Sequence, residues 1–200
     1  MNRLARDAGL LLLTAAIAVS TTLAWRQWTR PAIVSAEKQL QTRQRLAVLP
    51  AGSYDNQPLD NPLPTPAAQR PASRILAAYR ATLTGKPSAI ILVTQAQGYA
   101  GPIVLSVAIA TDGRLIASQV VEQQESPGLG ARLGDPQVHW LDQFANRHLG
   151  DHWALERDHG DFDQLAGATV TSRAVITALQ EALGYFDEQR GRLLEGALDE

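Results

Sequence analysis

Three hydroxyl side chains, Thr169, Thr171 and Ser172, stand close together in the stretch DFDQLAGATVTSRAV (161–175). A helix beginning here needs one hydroxyl as its N-cap, and Thr169, Thr171 or Ser172 could supply it, with Gly167 making the turn. The surplus points to a second use. The first N–H groups of a helix lack partners, and its macrodipole favours an anion, so the start of a helix suits a phosphate. Gly167 and Ala168 are small enough to admit one, and Arg173 could add a charge-assisted bond. Asp161 and Asp163 would repel a freely diffusing anion. Their presence fits a phosphate that is covalently held, or one handled by a metal or an installing enzyme.

A second stretch, ESPGLGARLG (125–134), is rich in glycine but does not fit a dinucleotide fingerprint. Gly128 and Gly130 would need a third glycine at the position of Leu133, and no parallel βαβ unit surrounds them. It reads as a turn leaving a sheet edge, or as a place where Gly128 and Gly130 let a flat ligand approach the backbone while Leu129 supplies an apolar contact. His148 and His152 have the spacing of a helical metal pair, but Gly150 between them marks a helix end and no carboxylate pattern supports a site. The chain has no cysteine, which excludes disulfides, thiolate catalysis and Cys-ligated clusters. The formal net charge is −2, with Lys and Arg scattered, so nucleic acid is not an expected partner.

The elements that must position these residues follow from periodicity. AIILVTQAQ (89–97), PIVLSVAIA (102–110) and RLIASQVVEQQ (114–124) are rich in β-branched residues and separated by glycine turns, which predicts an antiparallel meander. ILAAYRATL (75–83) could be a helix or a first strand. DPQVHWLDQFANRHL (135–149) predicts a helix capped by Asp135, with Pro136 first and Val138, Trp140, Leu141, Phe144 and Ala145 on one face. A last helix starts around Thr171 and carries Val175, Ile176, Leu179, Leu183 and Phe186. The expected fold is α+β, an antiparallel sheet covered by helices.

The N-terminal stretch AGLLLLTAAIAVSTTLAW (8–25) is uncharged, flanked by Arg3, Arg6, Arg26 and Arg30, and long enough to span a bilayer, with Trp25 and Trp28 suited to the interface. A cleaved signal peptide is the competing reading, and the length of the apolar run favours a retained anchor. Pro31 ends this element. A polar helix (32–49) and a Pro-rich, irregular connection (50–73) follow. The expected organisation is an anchor at 1–30, a stalk and connection at 31–72, a folded domain at 73–190 and a tail at 191–200.

DQLAGAT (163–169) resembles the acceptor motif of FMN-binding domains, in which Asp, two variable residues and Ser or Thr precede Gly-Ala-Thr. Ala166 stands where that family usually has Ser or Thr. SYDN (53–56), GYAGPIVLSVAIATDGRL (98–115), ESPGLGARL, WLDQF (140–144) and the acceptor stretch resemble successive blocks of the G subunits of Rnf/Rsx-type electron transport complexes, related to the C subunit of the sodium-pumping NADH:quinone reductase. Ser126 and Gln124 replace the usual Thr and His of the middle block.

The resemblance implies FMN joined by a phosphoester to Thr169, installed by an ApbE-type flavin transferase that recognises Asp163. It also implies that Glu125 to Gly130 lie near the flavin ring. The protein would be a single-pass subunit of a bacterial inner membrane, its domain in the periplasm. Beside partner subunits it would relay electrons in a complex that couples redox chemistry to ion movement, or that keeps a redox sensor reduced. A membrane-tethered adaptor without flavin, and a stand-alone extracytoplasmic flavin reductase, are the alternatives.

Overall fold

The structure is a computed structural model that describes residues 46–64, 68–135 and 137–195, together with 7, 13–15, 17–22 and 25–26. The chain divides into two units, Met1–Thr42 and Arg43–Glu200. In the first, residues 17–22 are helical, and the Thr22 hydroxyl donates to the Ala18 carbonyl at 2.7 Å. Most of the expected anchor and stalk, and Pro136, lie outside the described residues. Among the described residues no helix is long and apolar enough to cross a membrane.

The second unit is built on one sheet. Its strands β1 (Ala68–Gln69), β2 (Ser73–Leu83), β3 (Lys86–Gln97), β4 (Pro102–Ala110) and β5 (Leu115–Glu122) lie in chain order, each antiparallel to the next. The segment 75–83, open between helix and strand from its composition, is strand. Thr84 and Gly85, at φ 52° and 73°, form the tight turn that matches the twist of β2 and β3. A register shift between Ile75 and Ala77 lets Ile75 and Ala78 share one face while Ala77, Tyr79 and Ala81 take the other.

Both faces of the sheet are covered. On the first, Ile90, Leu92, Ile103, Leu105, Val107 and Ile109 pack against Val175, Leu179, Ala182, Leu183 and Phe186 of α1 (Thr169–Glu195). On the second, Ile91, Val93, Val104 and Ala108 are covered by Val48 and Leu49, with Tyr54 and Leu59 packed against them. The Pro-rich stretch is therefore irregular but folded onto the sheet. Asn56 ties it down: its side chain donates to the Arg80 carbonyl at 2.9 Å and accepts the Thr82 N–H at 3.0 Å.

The helix expected over 135–149 does not form. Its place is taken by a single 3-10 turn, Trp140–Phe144, bounded by His139 and Asn146 in the left-handed region at φ 52° and 66°. Asp135 instead accepts the Gln137 N–H in a local turn at 2.9 Å. Two anchors explain the departure. Trp140 and Phe144 join Trp153 and Phe162 in an aromatic cluster, with Phe144 and Phe162 4.7 Å apart. The Asn146 N–H then bonds Leu115 O, and the Leu115 N–H bonds Arg147 O, so backbone bonding goes to β5 rather than along a helix.

At the far end of α1 a polar clasp holds the helix to β1 and β2. Arg70 bonds Glu188 bidentately at 2.8 and 2.9 Å, which holds the Glu188 carboxyl below its ordinary pKa. Arg80 donates to the Leu193 carbonyl at 2.6 Å, satisfying a helix-end acceptor, and burial lowers its pKa. Leu193 is buried, so the helix continues as a packed element beyond residue 190.

Candidate functional site

The first turn of α1 faces the loop that leaves β5 across a cavity of about 370 Å³. Its wall comes from three separate segments: Tyr99 in the β3–β4 turn, residues from Glu125 to Gly130, and Gly167 to Thr171. The sheet explains the meeting. The β3–β4 turn and the end of β5 project from the same end, and α1, packed over the first face, starts there.

Glu125 is the polar centre of this wall. It is buried, accepts the Thr171 hydroxyl at 2.6 Å on Oε2 and accepts the Ala100 N–H at 3.0 Å on Oε1. Glycines make room for it: a Cβ placed on Gly98 or Gly130 would overlap its carboxylate oxygens. Across the cavity, Gly167 has φ 75°, and a Cβ there would stand 2.8 Å from Leu129 Cδ2. Thr169, half-buried on the wall, donates its hydroxyl to Gln164 Oε1 at 3.1 Å. Its N–H and those of Val170 and Thr171 open α1, where no preceding carbonyl is in helical register for them.

Of the residues singled out in the sequence, Glu125, Leu129, Gly130, Gly167, Ala168, Thr169 and Thr171 line the cavity. Gly128, Ser172 and Arg173 do not. Arg173 is on the outer surface, where Nε and Nη2 bond Asp158 at 3.1 and 2.7 Å, so its charge is already engaged. Neither Thr171 nor Ser172 caps the helix. Both lie inside its first turn and are buried, Thr171 bonded to Glu125. Ser172 accepts the Leu165 N–H at 3.0 Å and donates to the Ala168 carbonyl at 2.9 Å, which binds the acceptor loop to the helix. The hydroxyls that resemble a cap in one dimension are turned inward because the face of α1 that carries Thr171 and Ser172 is packed.

Asp163 is exposed, but its backbone is fixed: its N–H donates to Gln143 Oε1 at 2.8 Å, and its carbonyl accepts Trp140 Nε1–H at 2.9 Å. Ala166 is exposed as well. Ser126, inside the Glu125 to Gly130 stretch, also lines the wall, which adds Tyr99 and Val170, two residues the motifs did not single out. Tyr99 carried a signal, an aromatic at a hairpin tip among glycines where no core demands it, and it is 75% exposed. Val170 is also exposed, an apolar side chain at the rim. His148 and His152 sit in turns rather than on a helix, and among the described residues no cluster of three His, Cys, Asp or Glu could hold a metal.

The cavity fits FMN on its own chemistry. The wall is apolar at the rim and polar at its centre, and a hydroxyl stands where the first N–H groups of a helix could receive a phosphate.

Residues 98–184 match the FMN-binding domain family. The chain is 43% identical to the G subunit of the ion-translocating oxidoreductase complex of Pseudomonas aeruginosa, over 94% of this chain and 91% of that protein. It is 36% identical to the corresponding G subunit of Cereibacter sphaeroides, over 74% of this chain and 68% of that one. Among solved structures it is similar to NqrC of Shewanella oneidensis, with TM-score 0.49 and 24% identity, covering 64% of this chain and 71% of that one. On sequence and on the domain at 98–184, this chain belongs to the family of G subunits of ion-translocating oxidoreductase complexes.

Proposed function

We propose that this protein is the membrane-anchored flavoprotein subunit of an Rnf/Rsx-type complex, relaying electrons through FMN joined to Thr169 by a phosphoester. The observation that carries the reading is the cavity itself. Segments about forty residues apart in sequence, Glu125–Gly130 and Gly167–Thr171, converge on one space with a half-buried threonine hydroxyl at the start of a helix.

FMN, when bound, supplies one-electron and two-electron redox chemistry. The chain's part is to hold and shape. Thr169 is the attachment point, and the N–H groups opening α1 offset the charge of the phosphate. Gly167 and Ala168 keep the approach to Thr169 clear. Tyr99, Leu129 and Val170 give an apolar rim against which a flat ring can rest. Gln164 holds the acceptor hydroxyl in one rotamer before modification. An ApbE-type transferase reads the loop at Asp163, an exposed side chain on a backbone pinned by Trp140 and Gln143.

The anchor at 1–30 confines the domain beside partner subunits, with the domain in the periplasm of a bacterial inner membrane. There its electron transfer is coupled to ion translocation. The relatives named as subunits of ion-translocating oxidoreductases support that assignment.

Co-expression with a flavin transferase tests it. Denatured wild type should fluoresce in the gel under ultraviolet light and gain the mass of FMN less one water, and Thr169→Ala should do neither. A wild-type chain at its bare mass beside an active transferase would overturn the proposal.

A further inference from the structure

We infer that Glu125 lowers the reduction potential of the group held in the cavity, acting as a fixed negative charge that reduction must oppose. The inference rests on reading the cavity as the flavin site.

Three observations carry it. The carboxylate lies in the wall itself and is 7% exposed, so solvent does little to screen it. Among the described residues it forms no ion pair, and the wall contains no Lys, Arg or His. Its two partners are neutral donors, the Thr171 hydroxyl and the Ala100 N–H, which orient the group without cancelling its charge.

A charged side chain buried without a counterion is a costly choice for packing alone, since an apolar residue would fill the space. Its value is electrostatic. A unit charge acts more strongly across a partly buried site than through water. Each electron that enters the cavity, supplied by the electrode in a titration, adds one negative charge opposite Glu125 unless a proton accompanies it. The oxidised form is thereby favoured and the potential falls.

Two substitutions separate charge from shape. Glu125→Gln keeps the size of the side chain and loses the charge. Glu125→Asp keeps the charge and loses the reach to Thr171. Full-length chains, co-expressed with the transferase and checked by intact mass, are titrated with redox mediators while flavin absorbance is followed. The Gln variant should shift to a more positive midpoint potential, and the Asp variant should stay closer to wild type. Equal potentials in wild type and Gln, or a larger shift in Asp than in Gln, would overturn the inference and leave Glu125 a brace between the β3–β4 turn and α1. Should the Gln variant fail to fold or to take flavin, the Asp variant decides: a midpoint potential well above that of wild type, with the charge retained, would overturn the inference. A wild-type chain that takes no flavin would instead sink the reading of the site, and this inference with it.

Discussion

Gly167 is the residue on which the acceptor loop turns. Its φ of 75° lies in the left-handed region, and a side chain there would meet Leu129 Cδ2 at 2.8 Å. Gly167→Ala should therefore cost about 1–2 kcal/mol from backbone conformation, with a further cost if Leu129 must move. Chemical denaturation should show the loss of stability, and intact mass should show reduced flavin loading, because the shift narrows the cavity beside Thr169. Single residues were legible as neighbours: Gly167, Ala168 and Thr169, adjacent in the chain, line one cavity with Glu125 and Gly130. They were not legible where a side chain's direction depends on packing. Thr171 and Ser172 have the composition of a cap, but the hydroxyls face Glu125 and Leu165 because their side of α1 is buried. Arg173 has the charge to hold a phosphate, but Asp158, fifteen residues away, takes it first. Glu125, 46 residues before Thr171, lies far outside the acceptor stretch, and the direction in which a nearby hydroxyl turns is set by the packing.

Elements were read well where one face decides them. β3 and β4 announce themselves by β-branched residues, and α1 by its apolar stripe. The stretch 135–149 failed because Val138, Trp140, Leu141 and Phe144 satisfy helical spacing while only Trp140 and Phe144 are buried. A single 3-10 turn presents those two equally well, and β5 claims the backbone groups that a helix would have used. The helix that does form is also clasped near its C-terminal end, by Arg70 just after β1. Arg70 depresses the pKa of Glu188, so the clasp stabilises the fold above the unfolded pKa of Glu188 and loses that contribution as pH falls through the lower, folded value. Both partners are partly in solvent, so the contribution is under about 1 kcal/mol. Glu188→Gln should be slightly less stable than wild type at pH 7, and the gap should close on acidification below the ordinary carboxylate range. Urea melts at the two pH values would check it. A gap that persists in acid would mean that the side chain acts through packing instead.

At the scale of the molecule, the sheet is a shared wall with two cores, and only one was visible in the sequence. The first is contributed by α1, whose apolar positions recur regularly. The second is closed by Val48 and Leu49, at the end of the expected stalk, with Tyr54 and Leu59 from the Pro-rich stretch, and no period reveals them. A domain boundary drawn at residue 73 would thus strip the sheet of its second cover. The compact unit starting at Arg43 retains that cover. A chain beginning at Arg43 should fold cooperatively, whereas one beginning at Ser53 lacks Val48 and Leu49, which are 2% and 7% exposed. Burying each such side chain is worth about 1.5–3 kcal/mol, so the shorter chain should lose roughly 3–6 kcal/mol. At about 2–4 °C per kcal/mol for a unit of this size, its melting temperature should fall by on the order of 10 °C. The uncovered patch around Ile91, Val93 and Val104 should also bind a hydrophobic dye. The cavity beside Thr169 lies at the end of the sheet, formed by the β3–β4 turn, the β5 exit and the start of α1. Shortening the second cover should therefore weaken the fold before it changes the geometry around Thr169. Equal melting curves for the two chains would show that the sheet's second face needs no cover from this segment.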